Sequence, residues 1–269
     1  MVTTCLVSAL VSGTAIAALP QPQHRIAVIA HRGGAALAPE NTLAAFRRAI
    51  ALGADYVEVD VRCTRDGRLV LLHDGTVDRT TDGAGPVAEL DYAALRRLDA
   101  GRAFSPDYAG GRVPSLDEAL RLCRDRIGLY LDHKDGPTAD VIRAVRRHRM
   151  EAQVVVYSGV EELQEWKRLA PEIAVMPSVP DEYRSPDRIA AFLDLLPAEV
   201  LDGGAGEWTA ELVQAAHARG ALVYVDNLGL ADHEAAYRRS LEIGVDGIQT
   251  DHPDALLALL EKLAPPATP

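Results

Sequence analysis

The chain has 269 residues, 48% of them apolar and 25% charged, with a formal net charge of −11. That length and apolar content can fill one large hydrophobic core, and they exclude a chain disordered along its length. The acidic balance excludes a general binder of nucleic acid or anionic membrane, which needs a basic face.

Residues 1–22 form an apolar leader of small residues ending in Ala15-Ile16-Ala17-Ala18-Leu19-Pro20. It is short for a bilayer-spanning helix, so no stable membrane insertion is expected. Its h-region and A-x-A pattern resemble a secretory signal, although a basic start is missing. A periplasmic or secreted location is the expectation. The alternative is an upstream start codon that adds a disordered leader to a cytoplasmic protein.

From 23 to 263 short β-rich runs alternate with longer helical ones, the pattern of βαβ units in a parallel sheet. Strands are expected at Ile26–Ala30, Tyr56–Val61, Ile127–Asp132, Gln153–Tyr157, Ile173–Met176, Val200–Asp202, Ala221–Val225 and Gly247–Thr250. Apolar residues at helical spacing fill the gaps, for example Leu43, Phe46 and Ile50, then Leu116, Leu120 and Cys123. Eight alternations predict an α/β chain closed into a single (β/α)8 TIM barrel. An open doubly wound sheet fits less well, since no glycine-rich dinucleotide fingerprint follows the first strand. Residues 69–112 break the rhythm with a strand-like run, turn signals and one short helix near Tyr92–Leu98. They read as a small insertion after the second strand, placed to shape the substrate entrance. The Pro-rich stretch 264–269 reads as a disordered tail. Cys63 and Cys123 are expected as free thiols.

The chemistry gathers at strand ends. In Tyr56-Val57-Glu58-Val59-Asp60-Val61 alternation puts Glu58 and Asp60 on one face and the valines on the other. Two carboxylates about 4 Å apart repel by roughly 4 kcal/mol at an effective dielectric of 20. Protonation, an inserted Arg or a divalent metal would relieve that. Oxygen-only ligands favour Ca²⁺ or Mg²⁺ over Zn²⁺. His31 ends the first strand and His73 ends the run before the insertion, with Asp74 beside it to orient a ring. Two imidazoles flanking a metal-bound phosphate suit a general acid and a general base. Asp132 and Lys134 share a face of the third strand and suit a phosphate clamp, with a plain surface pair as the alternative. Asp202, Asp226-Asn227 and Asp251-His252 lie at late strand ends, where each is either site material or a helix N-cap.

Taken together, His31-Arg32-Gly33, Pro39-Glu40-Asn41-Thr42, Glu58-Val59-Asp60-Val61, His73-Asp74, Asp78-Arg79-Thr80-Thr81 and Val113-Pro114-Ser115-Leu116 resemble the glycerophosphodiester phosphodiesterase family. The ending Gly244-Val245-Asp246-Gly247-Ile248-Gln249-Thr250-Asp251 is similar to that family's last strand. The resemblance implies a (β/α)8 barrel, an acid/base pair His31 and His73, and metal ligands Glu58, Asp60 and Asp132. It implies phosphate binding by Arg32 and Lys134. The family's Glu-x-Lys stands here as Asp132-His133-Lys134, a shorter acidic arm. A common Ser-Phe is Ser158-Gly159, and a common Trp on the seventh strand gives way to Tyr224-Val225-Asp226-Asn227. The pocket wall is therefore expected to be smaller and more polar, with Asp226, Asn227 and Tyr157 as its candidates.

The expected function is metal-dependent hydrolysis of a small-molecule glycerophosphodiester, or a related diester with a vicinal hydroxyl, to an alcohol and a phosphomonoester such as glycerol 3-phosphate. The alternatives are a phospholipase D-like lyase or an enzyme of sugar conjugates on the same scaffold. A non-catalytic sugar- or phosphate-binding barrel is the rival from another class, and the histidine pair argues against it.

Overall fold

The computed structural model describes residues 17–264. Most of the leader, residues 1–16, and the tail from 265 lie outside the described residues. The strands are β1 (Ala27–Ala30), β2 (Tyr56–Cys63), β3 (Leu69–Leu71), β4 (Gly128–His133), β5 (Val154–Tyr157), β6 (Ala174–Val175), β7 (Val200–Gly204), β8 (Leu222–Asp226) and β9 (Gly247–Thr250). The helices are α1 (Leu43–Leu52), α2 (Tyr92–Leu95), α3 (Leu116–Cys123), α4 (Thr138–His148), α5 (Val160–Leu169), α6 (Pro186–Leu195), α7 (Ala210–His217), α8 (Glu234–Ile243) and α9 (Pro253–Leu263).

Eight strands run parallel in the order β6-β5-β4-β2-β1-β9-β8-β7, with helices between them: the TIM barrel expected from the alternation. The ring is nearly closed. Between β6 and β7 a single parallel bridge, Ser178 to Asp202, joins the ends among the described residues. β6 is accordingly shorter than the expected Ile173–Met176.

Strand alternation divides the core in two. Val57, Val59, Val61, Leu129, Leu131, Val154 and Val156 face outward and are buried under the helices. Ala27, Ile29, Tyr56, Tyr130, Val155, Ala174, Met176, Val200 and Tyr224 fill the lumen. Large and small residues complement each other there: a Cβ on Gly128 would stand 2.6 Å from the Tyr56 ring, so only glycine fits. Ala17 packs beneath this inner layer at the floor, and its N–H lies 3.4 Å from Glu199 Oε1. The inner parity also dictates the mouth. Continuing it along each strand sends residues 31, 58, 60, 132, 157, 178, 202, 226, 249 and 251 toward the opening.

In the insertion, β3 pairs antiparallel with β2 through Val61 and Leu71. The remainder carries its own small core of Val70, Leu72, Val77, Val87, Leu95, Ala100 and Val113. The insertion returns to the barrel at α3, where Ser115 and Glu118 form a capping box. Among the described residues Cys63, half-buried, and Cys123, buried, are free thiols. No helix among the described residues is long and apolar enough to cross a membrane.

Candidate active site

At the mouth, β2 and β4 run side by side with Asp60 opposite Asp132. Glu58, Asp60 and Asp132 offer carboxylate oxygens that all lie within 4.8 Å of one another. Glu58 and Asp60 are buried, at 2% and 1% exposure. Burial first, then the neighbouring charges of Asp60 and Asp132, pushes the Glu58 carboxyl well above its ordinary range. Asp132 is raised too, by burial and Asp60, even though Lys134 pulls against this. Glu58 and Asp132, crowded against Asp60, resist ionising, which marks a set short of positive charge. Their all-oxygen chemistry fits a hard divalent cation.

Part of that charge comes from the chain. Lys134 Nζ bonds Asp132 and lies 3.3 Å from Asp60 Oδ1. Burial alone would lower the ammonium's pKa, but the two carboxylates more than offset this and raise it. Asn41 fixes Asp60 from both sides, donating from Nδ2 at 2.7 Å and accepting the Asp60 N–H at 3.1 Å.

Arg32 takes a left-handed backbone, φ 50°, in the tight turn after β1. Such a conformation costs a non-glycine residue about 1–3 kcal/mol. In return its N–H reaches Glu58 Oε2 at 2.7 Å. The next residue must be glycine: a Cβ on Gly33 would meet Ala45 Cβ at 2.6 Å. The Arg32 guanidinium contacts Glu40 at 3.1 Å and stands 3.5 Å from Asp60. Its buried Nε has no hydrogen-bond acceptor.

The two imidazoles are oriented alike. His31 Nδ1 lies 2.7 Å from Asp251 Oδ1, and His31 Nε2 lies 4.0 Å from Glu58 Oε2. Burial works to raise the Asp251 carboxyl, but the His31 contact prevails and holds it below its usual range. An ionised Asp251 only accepts, so Nδ1 donates and Nε2 is turned to the acids. His73 Nδ1 lies 2.7 Å from Asp74 Oδ1. Arg79 and His73 hold the Asp74 carboxyl well below the usual range, and the same tautomer argument applies. Arg79 bonds Asp74 and also reaches Glu40 at 2.6 and 2.8 Å. A continuous chain His73–Asp74–Arg79–Glu40–Arg32–Asp60 thus ties the insertion to the acids.

Nine of the ten residues that the sequence reading gave a catalytic, metal, phosphate or pocket-wall role converge on or border this mouth: His31, Arg32, Glu58, Asp60, His73, Asp132, Lys134, Tyr157 and Asp226. Asn227 does not. It is buried on the opposite strand face, where Nδ2 donates to the Ala231 carbonyl and Oδ1 accepts from Ser240. Alternation admits Asp226 or Asn227 to the lumen, never both. Asp251 also departs from the N-cap alternative. His252 occupies that position on α9, and Asp251 serves His31 instead. Sequence reading did not assign a role to Glu40, Asn41 or Arg79, although all three stand inside the quoted motifs. A hollow of about 770 Å³ lies between α9 and residues 23–25, away from the acids and imidazoles.

Residues 31–255 match the Glycerophosphoryl diester phosphodiesterase family. The chain belongs to that family. It is similar to a protein of Caldanaerobacter subterraneus subsp. tengcongensis named glycerophosphodiester phosphodiesterase, at 35% identity over 87% of this chain and 98% of that protein. Among solved structures it resembles the glycerophosphodiester phosphodiesterase of Agrobacterium tumefaciens, with a TM-score of 0.78 at 34% identity, covering 87% of this chain and 99% of that one. It also resembles a phosphodiesterase of Oleispira antarctica in complex with the product sn-glycerol-3-phosphate. That likeness has a TM-score of 0.74 at 28% identity, over 87% of this chain and 96% of the other. The protein is therefore an enzyme of this family, on the family's barrel.

Proposed function

We propose that the protein is a divalent-metal-dependent phosphodiesterase that hydrolyses a glycerophosphodiester, or a related diester with a vicinal hydroxyl, to an alcohol and a phosphomonoester such as glycerol 3-phosphate. The observation that carries this is the Glu58–Asp60–Asp132 cage flanked by two imidazoles, each with a carboxylate behind it. The product bound in the Oleispira relative supports the phosphomonoester. Glu58, Asp60 and Asp132 would hold Ca²⁺ or Mg²⁺. When bound, the ion supplies Lewis-acid charge that lowers the pKa of the substrate hydroxyl.

The chain's own groups do the rest. Arg32 brings a buried Nε–H with no acceptor, a donor ready for a phosphoryl oxygen. Lys134 adds a second fixed positive charge, and each preorganised donor of this kind commonly contributes about 3 kcal/mol. One histidine takes the hydroxyl proton at Nε2 as that oxygen attacks phosphorus, and the other delivers a proton to the departing alcohol oxygen; water then opens the cyclic phosphate with the two histidines' roles exchanged, giving the phosphomonoester. Their carboxylate partners hold both rings in the tautomer that allows this.

The test is phosphorus NMR of purified protein with glycerophosphodiesters, with Ca²⁺ or Mg²⁺ and then with excess EDTA. The expected result is metal-dependent release of glycerol 3-phosphate. Persistent cyclic phosphate would replace the hydrolase with a lyase; saturable binding without turnover would replace it with a binding barrel. The apolar leader supports export to the periplasm or medium, which the intact mass of the mature protein checks by loss of the leader.

A further inference from the structure

The side of the mouth facing the metal-side acids carries a second polar group with no part in the chemistry above. Three lumen positions on successive strands are Asp202 on β7, Asp226 on β8 and Gln249 on β9. Tyr157 Oη lies 3.1 Å from Ser178 Oγ, and Ser178 Oγ donates to Asp202 Oδ2 at 3.1 Å. Gln249 Nε2 donates to Asp226 Oδ1. These bonds use one oxygen of Asp202 and the amide nitrogen of Gln249. The other atoms, Asp202 Oδ1 and Gln249 Oε1, are buried acceptors with no donor. Their residues are 3% and 4% exposed. No cationic side chain pairs with Asp202 or Asp226 among the described residues; the nearby Arg184 is engaged by Asp181, Glu207 and the Val179 carbonyl.

Buried acceptors in folded proteins are nearly always satisfied, by protein or by something bound. Here the two orphans belong to side chains that point into the open end of the barrel. Donors that arrive from the mouth, whether water in the free enzyme or groups of a bound alcohol, would complete them. Both carboxyls are pushed above their ordinary range by burial, and Asp202 further by the Asp226 charge, so an incoming donor would relieve a strained pair. A second metal ion does not fit: among the described residues the only three-acid group within metal-binding reach is Glu58, Asp60 and Asp132.

We infer that Asp202, Gln249 and Asp226 form the specificity wall for the leaving alcohol, selecting alcohols that carry N–H or O–H donors beyond the phosphate ester. This rests on the phosphodiesterase reading above and narrows it. An ethanolamine-type ammonium and a glycerol-type polyol share that chemistry. A quaternary ammonium such as choline has the charge and bulk but no donor.

The experiment compares kcat/KM of the metal-loaded enzyme for glycerophosphoethanolamine, glycerophosphoglycerol and glycerophosphocholine. The expected preference for the better donor-bearing ester over the choline ester is about 10–100-fold, the scale of one hydrogen bond to a charged group. An ethanolamine ester ahead of the glycerol ester identifies the ammonium source, and the reverse order identifies the polyol. In Asp202→Asn and Gln249→Leu the ratio should collapse toward one, with thermal melting to verify that each variant is folded. Asp202→Asn is nearly isosteric, so its ratio decides the matter even if Gln249→Leu fails to fold. A choline ester used as well as the others, or a preference that survives in both folded variants, overturns the wall. No turnover of any of the three would instead overturn the phosphodiesterase reading beneath it.

Discussion

The two imidazoles at the mouth belong to different kinds of structure. His31 stands on the barrel itself, 14% exposed, with its carboxylate partner supplied by the neighbouring strand end. His73 stands on the insertion, 36% exposed, with its partner the next residue in the chain. The barrel half is set by parallel strands and a packed core. The insertion half is set by Arg62, which grips the His73 carbonyl through Nε and Nη2 at 3.0 and 2.6 Å, and by the Arg79–Glu40 pair. A fixed group on one side and a more exposed one on the other suit a site that must admit a diester from solvent. The difference teaches that local ion pairs can give an exposed histidine the orientation that a strand gives a buried one.

The largest effect should come from the imidazoles themselves. His31→Ala and His73→Ala should each lower kcat by about 10²–10⁴-fold at saturating metal, measured by steady-state kinetics. Equal losses would show that the exposed ring carries as much of the reaction as the buried one, and near-normal turnover in either variant would remove its acid/base role.

Metal removal comes next and probes the barrel half. Because Glu58 and Asp132 hold protons more tightly folded than unfolded, the contribution of these groups to stability is fully present below the ordinary carboxylate range. It is lost as pH rises through their raised values. A divalent cation competes with those protons, so metal should raise the melting temperature, and the gain should widen from pH 5 to pH 8. At a hundredfold excess over Kd the stabilisation is about 2.7 kcal/mol. A gain independent of pH would place the ion elsewhere.

Asp251→Asn tests whether a strand-borne carboxylate sets the His31 tautomer. An amide can present N–H to Nδ1 and reverse the ring's proton, so kcat should fall by about 10–100-fold with KM little changed. Asp74→Asn should cost less, since water reaches the more exposed His73. A greater loss from Asp74→Asn would reverse the comparison between the two halves.

The smallest effect is expected from Arg79→Ala. It breaks the tie between the insertion and Glu40, but the arginine is half-exposed and Arg32 still pairs with Glu40, so the loss should stay at about 1 kcal/mol, the upper end for surface pairs. The melting temperature should barely move while KM rises. Unchanged KM would mean that the insertion keeps its place without this tie.

Much of this was legible because β-strands have a period of two. Once the valines of β2 are assigned to the helices, Glu58 and Asp60 must face the mouth, and the same parity aligns Asp132. What was not legible is contact between distant positions. Asp251 and His31 are 220 residues apart and meet only because β9 and β1 are neighbours in the ring. Read alone, an Asp two residues before Pro253 looks like a helix cap. Asn227 erred the other way: a polar residue at a strand end was expected to face the mouth, although Asp226 had already taken the inward position. His133 carried no functional expectation, and it is buried with Nδ1 accepting from Trp166 at 3.2 Å, behind Asp132 and Lys134 rather than among them.

The single bridge between β6 and β7 leaves this hoop of strands with one loose stave. Peptide hydrogens along that line have the fewest partners in the sheet, and deuterium should enter there before it enters β2 or β4. Asp202 borders that seam, while Glu58, Asp60 and Asp132 stand on β2 and β4, which pair over six residues. The proposed alcohol wall therefore begins at the yielding seam of the frame, while the three acids rest on its rigid part.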